Sequence, residues 1–112
     1  MNNIPKILRQ ELSLDPCYYI CARKNNDCKG RITWEHALYF AGKQVQEKFS
    51  IIPLCWQHHL GSKLDKRCNE WLALNNLFNC FDKGYQEEMF KKYKKAIPSW
   101  KQKYDFLNKI YK

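Results

Sequence analysis

Few residues in this chain break or bend a backbone. Its 112 residues include four glycines and four prolines, along with two methionines and three histidines. That scarcity, with no internal repeat, excludes a low-complexity or linker-rich chain. No stretch approaches the roughly 20 consecutive apolar residues of a membrane-spanning helix, so no membrane partner is expected. The opening MNNIPKILRQELSLDP lacks an apolar run followed by a small-residue cleavage site. No secretory signal is read there, and a cytoplasmic location is the default.

Acidic residues are also scarce, with 11 against 20 basic ones for a net charge of +9. The imbalance is greatest in residues 83–112, which hold nine basic and three acidic side chains. Such a surface attracts polyanions, of which nucleic acid is the commonest in a cell. A solvated lysine-rich face that binds nothing fits the same count. The length and the 45% hydrophobic content suit a single domain, 1–112, with a modest core.

Cysteine, by contrast, is abundant: Cys17, Cys21, Cys28, Cys55, Cys68 and Cys80. Without an export signal a disulfide scaffold is not expected, because the cytosol keeps thiols reduced. Clustered Cys and His in that compartment point to metal ligands. Cys68 and Cys80 read as packed thiols on or near helices.

Residues 5–12 suit a short helix with Pro5 at its first position and Ile7, Leu8 and Leu12 on one side. Residues 15–31, rich in turn formers and cysteine, read as a knuckle-like loop. RITWE (31–35) and FSIIPL (49–54) read as strands that can pair as a hairpin, with a loop turning at Gly42 between them. From Trp56 the pattern becomes helical. Leu64, Cys68, Trp71, Leu72 and Phe78 recur at helical spacing, then Tyr85, Met89, Tyr93 and Ile97, ended by Pro98. Ser99 and Gln102 have the spacing of a capping box for a last helix that buries Trp100, Tyr104, Leu107 and Tyr111. Tyr93 and Trp100 lie among lysines but read as core. The architecture expected is α+β: a small hairpin with a metal-bearing loop, then helices.

Two of the three histidines are adjacent, in LCWQHHLG (54–61). Neighbours on a helix point about 100° apart, so His58 and His59 suit two sites on adjoining faces. Cys55 and His58 stand at C-x2-H spacing, the reach of a zinc knuckle. Cys21 and Cys28 can complete a structural Zn²⁺ site from the loop before the first strand, with Cys17 as the competitor for that pair. A hairpin this small would gain much stability from a metal staple.

Glu35-His36 at a strand end, a second strand ending IIPLC, and His59 early in the next helix form a more specific arrangement. CARKNNDCKGRITWEHA and IIPLCWQHHLGSK resemble the HNH endonuclease family, whose site is a ββα-metal hairpin-plus-helix. The chain as a whole looks most like small bacteriophage-type HNH proteins linked to DNA recombination. That resemblance implies a ββα-metal core with its zinc knuckle over 15–64 and a basic helical extension over 65–112. It implies Glu35 and His59 as ligands of a catalytic divalent cation (Mg²⁺ or Mn²⁺, with Zn²⁺ as a further candidate) and His36 as general base. Ser50 stands at the family's usual Asn position, which holds the loop and orients the base. A serine hydroxyl is shorter and has fewer bonding groups. The implied activity is DNA phosphodiester hydrolysis, with branched or recombination-intermediate DNA as the narrower substrate. The implied location is the cytoplasm, the host's if the chain is phage-encoded. A homodimer is not indicated.

The chemistry is coherent on its own terms. An imidazole can take a water proton near neutral pH. A cation held by one carboxylate and one imidazole keeps positions open for phosphate oxygens. Arg31, Lys43 and Lys63 flank the site and suit phosphate contacts, as do KKYKK (91–95) and KQK (101–103). Successive strand residues face opposite sides, so Glu35 and His36 share a cleft only if the strand ends or twists there. The alternative to an enzyme is a non-catalytic zinc-containing nucleic-acid-binding module, favoured by Ser50 in place of Asn. A third reading is an interaction protein whose positive charge recognises an acidic partner.

Overall fold

The computed structural model describes residues 4–23, 28–61 and 66–111. Helix α1 (Lys6–Ser13) begins after Pro5, whose carbonyl accepts the Arg9 amide at 2.9 Å. Leu8 and Leu12 are its buried residues. Ile7, expected beside them, is 80% exposed, and Ile4 fills the core instead. Leu8 and Leu12 stand four apart on one face of the helix, whereas position 7 turns away from it, and Ile4 lies just before the helix.

Strand β1 (Ile32–His36) pairs antiparallel with β4 (Ile51–Cys55), with Glu35 opposite Ile52 and His36 opposite Ile51. Both strands lie about one residue later than the sequence pattern suggests. Phe49 and Ser50, expected to open the second strand, lie instead in a 3₁₀ turn over Lys48–Ser50. The connection is a small hairpin of its own, β2 (Tyr39–Phe40) and β3 (Lys43–Gln44). Ala41 and Gly42, with φ of 55° and 79°, make the tight turn that such a two-residue connection requires.

Every residue of β4 is buried. Ile51 packs on the α1 side with Leu8, Leu12 and Tyr18, while Ile52 and Leu54 join the main core with the helices. Pro53 is tolerated because its peptide faces away from β1. Its carbonyl accepts the Ala22 amide at 2.8 Å on the outer edge, so the missing N–H interrupts no ladder bond. That bond also brings the Cys21 segment alongside β4.

Helix α2 (Trp56–Gly61) follows β4 directly. Helix α3 (Lys66–Asn75) continues as a π-helical turn over Asn76–Cys80, then come α4 (Lys83–Lys92) and α5 (Ile97–Tyr111). Asp82 caps α4 by accepting the Tyr85 amide at 2.9 Å. The Ser99 capping box is not formed, because α5 already starts at Ile97. Pro98 sits in its first turn, where a missing N–H costs nothing. Trp100, Tyr104 and Leu107 are buried as expected, and Tyr111 is half-buried against Trp71, ring centroids 5.6 Å apart. In α3 the buried residues are Asn69, Ala73 and Leu74, one step round the helix from the expected Cys68, Trp71 and Leu72, which are half-buried. Leu64 lies outside the described residues. Tyr93 and Trp100 pack on each other and on Phe49 in the core, centroids 5.4–6.3 Å apart. Among the described residues no helix is long and apolar enough to cross a membrane.

Candidate functional site

The β4–α2 junction carries both adjacent histidines. The strand ends at Cys55 and the helix begins at Trp56, so Cys55 and His58 turn toward the same point. His58 Nδ1 lies 3.2 Å from the Cys55 sulfur, 3.2 Å from Cys21 and 3.7 Å from Cys28. All four ligand atoms lie within 4.8 Å of one another. Tetrahedral coordination at ordinary Zn–S and Zn–N lengths places sulfur and nitrogen about 3.6 Å apart, so the cluster can hold a zinc-like ion. Among the described residues it is the one group of three or more potential ligands. Cys17 is exposed and outside it, which resolves the choice left open by spacing. The Ala22–Pro53 bond carries Cys21, not Cys17, to the strand edge.

The first knuckle is fastened to α2 by the Gln57 amide, which donates to the Lys29 carbonyl at 3.1 Å. Burial pushes the Cys55 thiol up, but the His58 and Lys29 amides and the neighbouring Cys21 and Cys28 pull it down. The net shift is downward, toward the thiolate that metals bind.

His59, one residue on, turns away from the sulfurs. Its Nδ1 is in direct contact with the Glu35 carboxylate from the end of β1, and both side chains are largely shielded. The two histidines therefore serve two groups, as their angular separation requires.

His36 is the last residue of β1. It does not hydrogen-bond to Glu35 or His59. Its Nε2 lies 2.7 Å from Gln46 Oε1, and its buried Nδ1 makes no hydrogen bond among the described residues. Ser50 is fully buried. Its hydroxyl accepts the Leu38 amide at 3.2 Å and its carbonyl the Ala37 amide at 2.8 Å. It thus holds the chain just after His36 and makes no hydrogen bond to the imidazole.

Trp56, which the sequence reading passed over, stacks on His59 with centroids 5.1 Å apart and planes at 27°. Arg31 lies over the same indole, 5.2 Å from its centroid, and is exposed. The i, i+3 spacing of Trp56 and His59 on one helix face was the available signal. Gly30 explains the close approach of this wall. Its φ is +87°, and a Cβ there would lie 2.7 Å from Trp56 Cβ. Lys43 is exposed at the tip of the small hairpin; Lys63 lies outside the described residues. No family model matches the chain, and no curated protein or solved structure is significantly similar to it.

Proposed function

We propose that this protein is a metal-dependent DNA endonuclease of the HNH type. In this reading Zn²⁺ on Cys21, Cys28, Cys55 and His58 is structural, and Mg²⁺ or Mn²⁺ on Glu35 and His59 is catalytic. The observation that carries the reading is the contact of the Glu35 carboxylate with His59 across the β1–α2 junction. One oxygen and one nitrogen donor converge there, and His36 follows Glu35 in the chain. A donor pair of this kind suits a cation that must leave positions for phosphate oxygens. When bound, the cation offsets the negative charge that grows on the phosphate and the leaving oxygen.

The chain's own groups account for the rest. His36 takes a proton from water, the water oxygen bonds to phosphorus, and the bond from phosphorus to the sugar oxygen breaks. The leaving oxygen then takes a proton from solvent. Ser50 holds the loop behind His36 by accepting the Leu38 amide. Arg31, laid over Trp56, suits a flanking phosphate.

Purified protein with Mg²⁺ or Mn²⁺ should cut plasmid or branched DNA. His36→Ala should lower that rate by about 10²–10⁴-fold while keeping the fold. Equal cutting by the variant would remove His36 from the mechanism. A second reading, a non-catalytic zinc-containing nucleic-acid-binding module, is favoured by the Ser50 hydroxyl being engaged with Leu38 and not with His36. DNA binding without cleavage across several divalent ions would decide for it.

A further inference from the structure

The two ring nitrogens of His36 have different surroundings. Nε2 lies 2.7 Å from Gln46 Oε1, while Nδ1 is buried with no hydrogen bond among the described residues. An amide oxygen carries no proton, so the hydrogen in the first contact belongs to Nε2. A neutral imidazole has one N–H, which leaves the lone pair on Nδ1. A buried acceptor without a donor is costly, and a histidine that serves packing alone avoids this by bonding both nitrogens.

Gln46 is well placed to hold the ring. It follows Val45, which is buried in the core and whose amide donates to the Leu38 carbonyl at 3.0 Å. That bond ties the chain just after the small hairpin to the chain just past His36. The Ser50 hydroxyl accepts the Leu38 amide and makes no hydrogen bond to His36.

We infer that Gln46 is a positioning residue that holds His36 as the Nε2–H tautomer and presents Nδ1 as the atom that accepts a proton. The inference deepens the endonuclease reading and rests on His36 being its base. Its structural half can be read without any cleavage.

The test uses the ¹⁵N-labelled full chain, with the His36 ring nitrogens followed by NMR at a pH where the imidazole is neutral. The wild type should carry its proton on Nε2. Gln46→Leu keeps the volume and removes the acceptor, so the ring should become a mixture of tautomers. The kcat for Mn²⁺-supported DNA cleavage should then fall by about tenfold, the worth of one hydrogen bond, with KM within about twofold. Gln46→Glu keeps an acceptor and should restore the Nε2–H form. Unchanged zinc content and circular dichroism exclude a general folding defect. A wild-type ring protonated on Nδ1 overturns the inference, and so does a Gln46→Leu variant with the wild-type ring spectrum and kcat. If the wild type cuts no DNA yet shows the Gln46-dependent tautomer, the nuclease reading alone is lost and the tautomer lock stands.

Discussion

Cys55→Ser is the substitution whose consequence the structure specifies most fully. The sulfur it removes is 2% exposed and lies 3.2 Å from His58 Nδ1 at the strand–helix junction. A serine oxygen sits closer to its Cβ and does not ionise near neutral pH, so it fails as a ligand. Structural zinc stabilises small finger domains by about 10–16 kcal/mol, and an even share among four ligands is about 2.5–4 kcal/mol. The two ligand pairs come from separate segments. The inter-segment backbone bonds described above, Ala22 to Pro53 and Gln57 to Lys29, do not replace a lost coordination bond. With an unfolding entropy of about 2.1 cal/mol/K per residue, a chain of 112 residues loses about 11–17 °C of Tm. Differential scanning calorimetry with a zinc stoichiometry on the same samples reads both effects. The exposed Cys17, outside the cluster, is the control, and Cys17→Ser should move Tm by no more than about 2 °C. The reasoning is refuted if the wild type binds no zinc, or if Cys55→Ser keeps both its metal and its melting temperature.

Gly30→Ala should destabilise by about 1–3 kcal/mol, because it combines a positive φ with a 2.7 Å approach to Trp56. Gly42→Ala, at a similar φ but with nothing within 4 Å, should cost less, and chemical denaturation of the two variants compares them directly. Arg31→Ala should weaken DNA binding about equally across sequences and lower the slope of log K against log salt by about one; an unchanged slope would deny it a phosphate contact. Burial raises the hydroxyl pKa of Tyr18, Tyr85 and Tyr93 above the usual 10.0. In the unfolded chain these groups lose protons near pH 10 while the native ones keep them. Stability is therefore complete below that pH and falls as pH rises beyond it, by up to about 1.4 kcal/mol per unit for Tyr18 and Tyr85 and by less for the more exposed Tyr93. Urea unfolding at pH 9 and 11 should show the fall, and Tyr18→Phe should reduce it.

How much was legible depended on how local each feature is. The C-x2-H pair and the division between His58 and His59 follow from spacing along a few residues, because a strand end and one helical turn have a single geometry. The apolar run of β4 was readable as a strand for the same reason. The aromatic face of α5 was also evident, although the Ser99 cap was not formed. Pro98 fits the first turn of a helix, so the element could begin three residues earlier, at Ile97.

Other features joined parts of the chain that no spacing connects. Cys21 prevails over Cys17 because a peptide bond of Pro53, more than thirty residues away, is free to accept the Ala22 amide. Gln46 meets His36 because the small hairpin folds back, and Trp56 meets Arg31 because Gly30 has no side chain to keep them apart. The sequence alone therefore determined which residue types could ligate and how neighbours diverge, since both depend on backbone periodicity. Only the tertiary structure decided which distant partners meet, since that depends on how loops close and on which backbone groups are left free to receive them.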